Sequence, residues 1–206
     1  FAGRCLIPSI TKGNEKTLKL LVVIINYKTA EMTLDAVAAA LAELRNFPDA
    51  TIALVDNDSR DGSLEKLKQG VAQSGWGDRV QVMGTPYNGG FAYGCNFAIR
   101  PALASEDPPD YVYLLNSDAF PESCAIDRLV EYLDEHPEFG IAGSYIHGTD
   151  PRQEPHTTAF RFPSVQSELE AAIGIGLVSR LLARWIVAPA LPQKTTPVDW
   201  LAGASM

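Results

Sequence analysis

Four apolar runs in this chain stop abruptly at short polar clusters, and those clusters hold the side chains best suited to chemistry: Asn26-Tyr27, Asp56-Asn57-Asp58-Ser59, Asn88-Gly89-Gly90-Phe91 and Asn116-Ser117-Asp118. An ionised carboxylate only accepts hydrogen bonds, so Asp56 suits a ligand that donates, such as the N–H of a nucleobase or the hydroxyls of a ribose. Asp118, just past a buried run, suits a hard divalent cation. Mg2+ takes one or two carboxylates plus phosphate oxygens and keeps several waters, so a single Asp with a diphosphate suffices. Gly89-Gly90 lets backbone approach a ligand closely, with Asn88 and Asn96 as the side chains that tie the loop together. Plainer readings stand beside these: Asp58 and Asp61 as turn and cap residues, Asn88 as a turn residue of unusual backbone conformation, Asp118 as a helix-leading cap. Convergence of the four clusters on one edge is what favours the chemical reading.

That convergence follows from the elements between them. Leu18–Asn26 is an almost unbroken Leu, Val and Ile run, the pattern of a strand buried on both faces as in a parallel sheet. Leu34, Val37, Ala38, Leu41 and Leu44 recur at helical spacing from Ala30 onward, until Phe47-Pro48-Asp49 breaks the pattern. Thr51–Asp56 is a second strand, and a helix opens at Asp61-Gly62-Ser63 and runs to about Gln73, with Asp61 or Ser63 as its cap. Arg79–Met83, a helix over Phe91–Leu103, Tyr111–Asn116, a helix from Pro121 to near His136, and Gly140–Tyr145 continue the alternation. The reading is an α/β fold with a mostly parallel sheet and helices on both faces. Ligands of such open sheets bind beyond the carboxyl ends of the strands, where all four polar clusters fall. Residues 1–17 form a lead-in, 18–146 the α/β domain, and 147–206 an appendage to it, with an apolar helix near Ser167–Ile186 and a final strand over Val198–Met206.

Composition narrows the function classes. At 206 residues and 46% hydrophobic, the chain buries about 70% of its unfolded surface in one domain. A net charge of −8 excludes a general nucleic-acid binder, which needs a basic face to neutralise phosphates. Cys5, Cys95 and Cys124 are too scattered for a metal knuckle, and an odd, scattered set reads as small buried hydrophobes of a reducing compartment. No run approaches the ~18 apolar residues that span a bilayer. Asp56 to Gly62 begins like a calcium loop, but Arg60 takes a ligand position and Leu67 stands where a bidentate Glu is required. Gly89, Gly90 and Gly94 do not make a dinucleotide fingerprint, which leaves an NAD-type oxidoreductase the weakest reading. His136, His147 and His156 lack ligand spacing and read as loop or surface residues.

Taken together and in order, VVIINYKT (Val22–Thr29), VDNDSRDGS (Val55–Ser63), NGGFAYGCN (Asn88–Asn96), LLNSD (Leu114–Asp118), RFPS (Arg161–Ser164) and VDWLAGASM (Val198–Met206) resemble the GT-A glycosyltransferases of family 2, in particular rhamnosyltransferase-like members. The resemblance covers nearly everything after residue 18 and implies a Rossmann-like nucleotide-binding GT-A domain. It implies that Asn26, Tyr27 and Asp56 contact the nucleotide of a nucleotide-sugar donor, with Asn57 and Ser59 shaping that loop and Asn88 and Gly90 lining it. Asn116-Ser117-Asp118 is similar to the family's DXD motif, whose last Asp engages a divalent metal, Mg2+ or Mn2+, and the donor diphosphate. Asn116 at the first position removes one charge from that motif. Trp200 and Gly203 are similar to the element on the sugar and acceptor side.

The reaction implied is transfer of a sugar from a nucleoside-diphosphate donor to an acceptor hydroxyl with inversion, the acceptor being a saccharide or a lipid-linked saccharide. In similar enzymes the general base is an Asp in an acidic pair tens of residues beyond the WLAGASM-like element. The resemblance therefore assigns no catalytic base to residues 1–206 and implies a truncated chain. The alternative is a non-catalytic module that binds the nucleotide-sugar. For the helix near Ser167–Ile186, Ile173, Leu177, Leu181 and Leu182 with Arg180 and Arg184 suit a membrane surface. Packing on its own domain or on a second copy in a homodimer is preferred, because the stripe is short and follows Glu168 and Glu170. A cytoplasmic location, with peripheral contact to the inner face of the membrane as an accessory possibility, is the matching expectation.

Overall fold

In the computed structural model, residues 11–12, 16–148, 155–173, 185–189, 192 and 194–206 are described. Contacts divide the chain into two units, Phe1–Ala142 with Ser205, and Gly143–Ala204 with Met206. The first begins with an antiparallel pair of two-residue strands, β1 (Thr11–Lys12) and β2 (Lys16–Thr17). There follow β3 (Leu20–Asn26), α1 (Ala30–Glu43), a 3-10 turn over Leu44–Asn46, β4 (Thr51–Asp56), α2 (Ser63–Gln73), β5 (Val80–Gly84), α3 (Phe91–Leu103), β6 (Tyr111–Asn116) and α4 (Ala125–Glu135). The four long strands form one parallel sheet in the order β5-β4-β3-β6.

Every residue of β3 is buried. Because side chains alternate along a strand, its residues divide by parity. Leu20, Val22 and Ile24 join Ile52, Leu54 and residues of α1, α2 and α4 in one apolar cluster, while Leu21, Val23 and Ile25 join Ala53, Val55, Cys95 and Ala98 of α3 in another. Each fully buried Leu, Ile or Val contributes roughly 1.5–3 kcal/mol, so the sheet is a rigid frame for the loops at its ends. Close approach of α3 to β3 depends on Gly94, where an added Cβ would sit 3.2 Å from Ile25. The α/β fold with helices on both faces is as the sequence predicts.

Several elements differ from the sequence reading, the third long strand by one residue, Val80–Gly84 against Arg79–Met83. The first long strand begins at Leu20, two residues later than the apolar run. The fourth helix begins at Ala125 instead of Pro121, because the chain turns first, with Ala125 N–H bonded to Glu122 O and Cys124 at φ 65. Gly140–Tyr145 forms no strand: its apolar residues find no face to cover, Ile141 being 64% exposed, and only Ile146 makes an isolated antiparallel bridge, to His156. The final strand shrinks to two residues.

That strand belongs to the second unit, where β7 (Ala159–Phe160) and β8 (Trp200–Leu201) pair antiparallel on either side of α5 (Val165–Ile173). Ser164 and Ser167 close the start of α5 reciprocally, Ser167 N–H donating to Ser164 Oγ at 3.1 Å and Ser164 N–H to Ser167 Oγ at 2.7 Å, the logic of a capping box. The continuation of the expected helix, with Leu177, Arg180, Leu181, Leu182 and Arg184, lies outside the described residues. No helix of the described residues is long and apolar enough to cross a membrane. Cys124 is disulfide-bonded, which corrects the reading of three unbonded cysteines. Cys95 is a free buried thiol whose acidity burial pushes up to about 11, an inert packing group at neutral pH.

Candidate functional site

Register brings the polar clusters together. Asn26 pairs with Asp56, Asp56 with Gly84, and Ile25 with Asn116, so the four strands end on one line and their following loops share the carboxyl edge of the sheet. Between β3 and β6 the connections diverge to opposite sides, the switch point at which open α/β sheets bind ligands. Helices α1, α2 and α3 all start at this edge. Their positive dipole ends offset the acidic character of the loops and favour an anion there.

The loops after β3 and β4 are built around Asn26 and Asp56, both buried. Asn26 Nδ2 donates to Asp56 Oδ1 (2.6 Å) and to Ser59 Oγ (3.2 Å). Its Oδ1 accepts from Thr33 Oγ1 (2.8 Å) and Thr29 N–H (3.2 Å). Ser59 in turn donates its hydroxyl to Asp56 Oδ1 (2.6 Å) and its N–H to Asp56 Oδ2 (3.1 Å), and accepts from Lys28 N–H at 2.9 Å. These bonds hold backbone that would not otherwise stay put. Lys28, Asp58 and Arg60 have φ of 60°, 55° and 54°, left-handed conformations that cost about 1–2 kcal/mol each in residues with a Cβ. Arg60 secures the second by bonding Asp58 through Nε at 2.8 Å. Asp61 accepts from Ser63 N–H at 3.0 Å, and its bonds to Ser63 hold its carboxyl below the usual range. The N-cap of α2 is Gly62, at φ 85°, and neither Asp61 nor Ser63 as the sequence suggests; Asp61, one residue earlier, holds the first helical N–H.

A second network fixes the Asn88 loop. Asn57 Nδ2 donates to Asn88 Oδ1 (3.0 Å) and Gly90 O (3.1 Å), Asn88 Oδ1 also accepts Gly90 N–H (2.9 Å), and the Thr85 hydroxyl reaches Asn57 Oδ1 at 3.2 Å. Gly90 is needed for its backbone, φ 84° and ψ 176°, a region essentially closed to other residues. Asn96, which the sequence suggests as a second tie, is exposed and takes no part; Asn57 does that work. After β6, the bond from Ala119 N–H to Asn116 O (3.1 Å) turns the chain and leaves Asp118 exposed. Asp118 makes no hydrogen bond or ion pair with another described residue, so its carboxylate is uncommitted. Thr29 Oγ1, 3.3 Å from Asn26 Oδ1 and 3.4 Å from Ser117 Oγ, links the two halves of the rim.

Among the described residues no group of three or more His, Cys, Asp or Glu could cage a metal ion. One exposed, uncommitted carboxylate fits a different mode, a cation shared with ligand phosphates and water. Around it the rim carries exposed aromatic rings: Tyr27 (46%), with Lys28 Nζ 5.0 Å from its centroid, and Tyr87, Phe91 and Phe120. Tyr87, Phe120 and the threonines 29, 33 and 85 escape the sequence reading. Their signal is adjacency to a polar cluster. In the second unit, Trp200 stacks on Phe160 (4.1 Å, 13°) and donates from Nε1 to Arg161 O at 3.2 Å, leaving the ring 42% exposed; Gly203 lies in the turn that follows.

A cavity of about 830 Å³ opens at the opposite, amino edge of the sheet. Both cations lining it are engaged, Lys19 with Asp107 and Arg79 with the carbonyls of Leu44, Phe47 and Ala50. Its basic groups are already satisfied, so chemistry favours the carboxyl edge.

Among solved structures, the mannosyltransferase PcManGT from Pyrobaculum calidifontis in complex with GDP-Man and Mn2+ is similar to this chain at 18% identity and a TM-score of 0.50, over 65% of this chain and 36% of its own. S. aureus TarS 1–349 in complex with UDP-GlcNAc is 19% identical, with a TM-score of 0.49, over 68% of this chain and 38% of its own. The chain thus spans well under half the length of these structures, and its likeness to the first is one of fold, the α/β arrangement of GT-A type. No curated protein matches the sequence. The profile described as Glycosyl transferase family 2 matches residues 21–179, well over half the chain and all of the carboxyl rim, and the chain accordingly belongs to glycosyl transferase family 2.

Proposed function

We propose that the carboxyl edge binds a nucleoside-diphosphate sugar and that the chain is the donor-binding part of an inverting, rhamnosyltransferase-like glycosyltransferase. The observation that carries the reading is the convergence, at one switch point, of a buried and hydrogen-bonded Asp56 with an exposed, uncommitted Asp118. Tyr27 offers a flat face to a base, the Asp56 loop offers acceptors for its donors, and the start of α3 with Gly90 offers backbone to the phosphates. Asp118 would be the residue that holds Mg2+ or Mn2+ beside the diphosphate. Such an ion would supply positive charge beside the departing diphosphate, a stabilisation that counts most where water is scarce. Trp200 and Gly203, in the second unit, are the residues this reading assigns to the saccharide or lipid-linked acceptor.

Titration calorimetry with UDP, dTDP and GDP, with and without Mg2+ or Mn2+, tests this. At least one nucleotide should bind, the metal should tighten it tenfold or more, and Asp118→Ala should abolish that gain while leaving the melting temperature unchanged. Absence of any binding, or a metal gain that survives Asp118→Ala, overturns the reading.

A further inference from the structure

Asn26 ends β3 at the centre of the rim, yet its side chain is 0% exposed and all its bonding positions are filled from within the chain. No atom of that amide is available to a ligand. What it touches are three different segments: Asp56 and Ser59 from β4 and its loop, Thr33 from α1, and Thr29, which reaches Ser117 beside Asp118. Among these partners Asp56 alone is charged. Ser59, Thr29, Thr33 and Ser117 are neutral hydroxyls, and Lys28 meets the cluster only through its backbone N–H, on Ser59.

We propose that Asn26 is a positioning residue of the donor site: its buried amide donates to Asp56 Oδ1 at 2.6 Å, aims that carboxylate, and through Thr29 and Ser117 couples the Asp56 loop to the loop that carries Asp118. This rests on the donor-site reading above. An amide is the one side-chain group of this size that donates toward a carboxylate from one end while accepting from hydroxyls at the other. Asp is nearly the same shape but reverses the donating end. In Asn26→Asp, two carboxylate oxygens would face each other at hydrogen-bonding distance, which is tolerable only with a proton shared between them.

The substitution therefore carries a signature that general loosening of the loop does not produce. With the tightest-binding of UDP, dTDP and GDP as probe, Asn26→Asp should bind at least tenfold more weakly than the unaltered chain at pH 8 and come within about threefold of it at pH 5.5. Melts without nucleotide should show the same recovery, the difference in melting temperature narrowing as pH falls. A loss that does not change with pH, or no loss, overturns the inference. Should Asn26→Asp fail to fold, Thr33→Val removes the 2.8 Å bond to Asn26 Oδ1 while keeping the side-chain shape. It should weaken the nucleotide several-fold, with Thr33→Ser restoring it, and equal affinity in all three proteins overturns the inference. If the unaltered chain binds no nucleotide, the donor-site reading fails and this inference with it. If it binds and Asn26→Asp is flat with pH, only the positioning role fails.

Discussion

The two ends of one sheet are built on opposite plans. At the amino edge a cavity of about 830 Å³ is lined by groups that satisfy one another: Lys19 with Asp107, Thr17 with Asp49, and the Arg79 guanidinium with three carbonyls. At the carboxyl edge the buried polar groups hold backbone in strained conformations and leave Asp118, Tyr27 and the start of α3 facing solvent. Hollow space and chemical readiness are separate properties. Burying polar groups in complete networks is a structural use of them, whereas strain and uncommitted charge at a rigid sheet's end are where function is found.

Substitutions at either end sharpen or break that contrast. The largest effect is expected from Arg79→Ala, which strips the guanidinium from the carbonyls of Leu44, Phe47 and Ala50 and leaves the first two only the N–H groups of Phe47 and Ala50, at about 1–3 kcal/mol, a fall of roughly 2–10 °C in melting temperature. Nucleotide affinity should stay within twofold of the unaltered chain, and selective loss of affinity without loss of stability would reverse the roles of the two edges. Gly90→Ala comes next. At φ 84° and ψ 176° a Cβ costs about 1–2 kcal/mol, and the Asn57–Asn88 loop must relax, so denaturant melts should shift modestly while nucleotide binding weakens several-fold; unchanged binding would remove that loop from the site. The smallest effect is that of Asp61→Asn. Because Asp61 is held below its ordinary value of 3.8, its contribution is full above that value and fades as pH falls through the lower folded one. The unaltered chain should therefore exceed Asp61→Asn slightly at pH 7, and the gap should close below pH 3.8. A gap independent of pH would mean that Asp61 does not hold the start of α2 through its charge.

Most of the frame was legible because burial wrote it in residue type. Thr51–Asp56 and Tyr111–Asn116 are short apolar runs bounded by polar stops, and Phe91–Leu103 follows a glycine pair, so their limits coincide with the observed ones. Gly140–Tyr145 looks similar on paper, but two glycines in six residues leave too little side chain to bury, and no neighbouring strand pairs with it. At the site, the types of Asn26, Asp56, Asn57, Asn88 and Asp118 were readable but their directions were not. Parity supplies part of what was missing. Asn26 falls in the even series with Leu20, Val22 and Ile24, which faces α1, and Thr29 and Thr33, four apart on the first turn of that helix, are the hydroxyls it meets. By contrast, the link of Thr29 to Ser117 spans 88 positions and has no local trace.

The strand order β5-β4-β3-β6 also has a consequence for how the chain is made. On a ribosome the first three long strands emerge consecutively and pair on one side, while the central strand waits for residues 111–116 with its other flank open. That flank is an unpaired run of Leu, Val and Ile, the kind of edge on which neighbouring chains join. From residue 26 to residue 116 that flank of β3 has no partner within the sheet, and docking of β6 both covers it and delivers Asp118 to the rim.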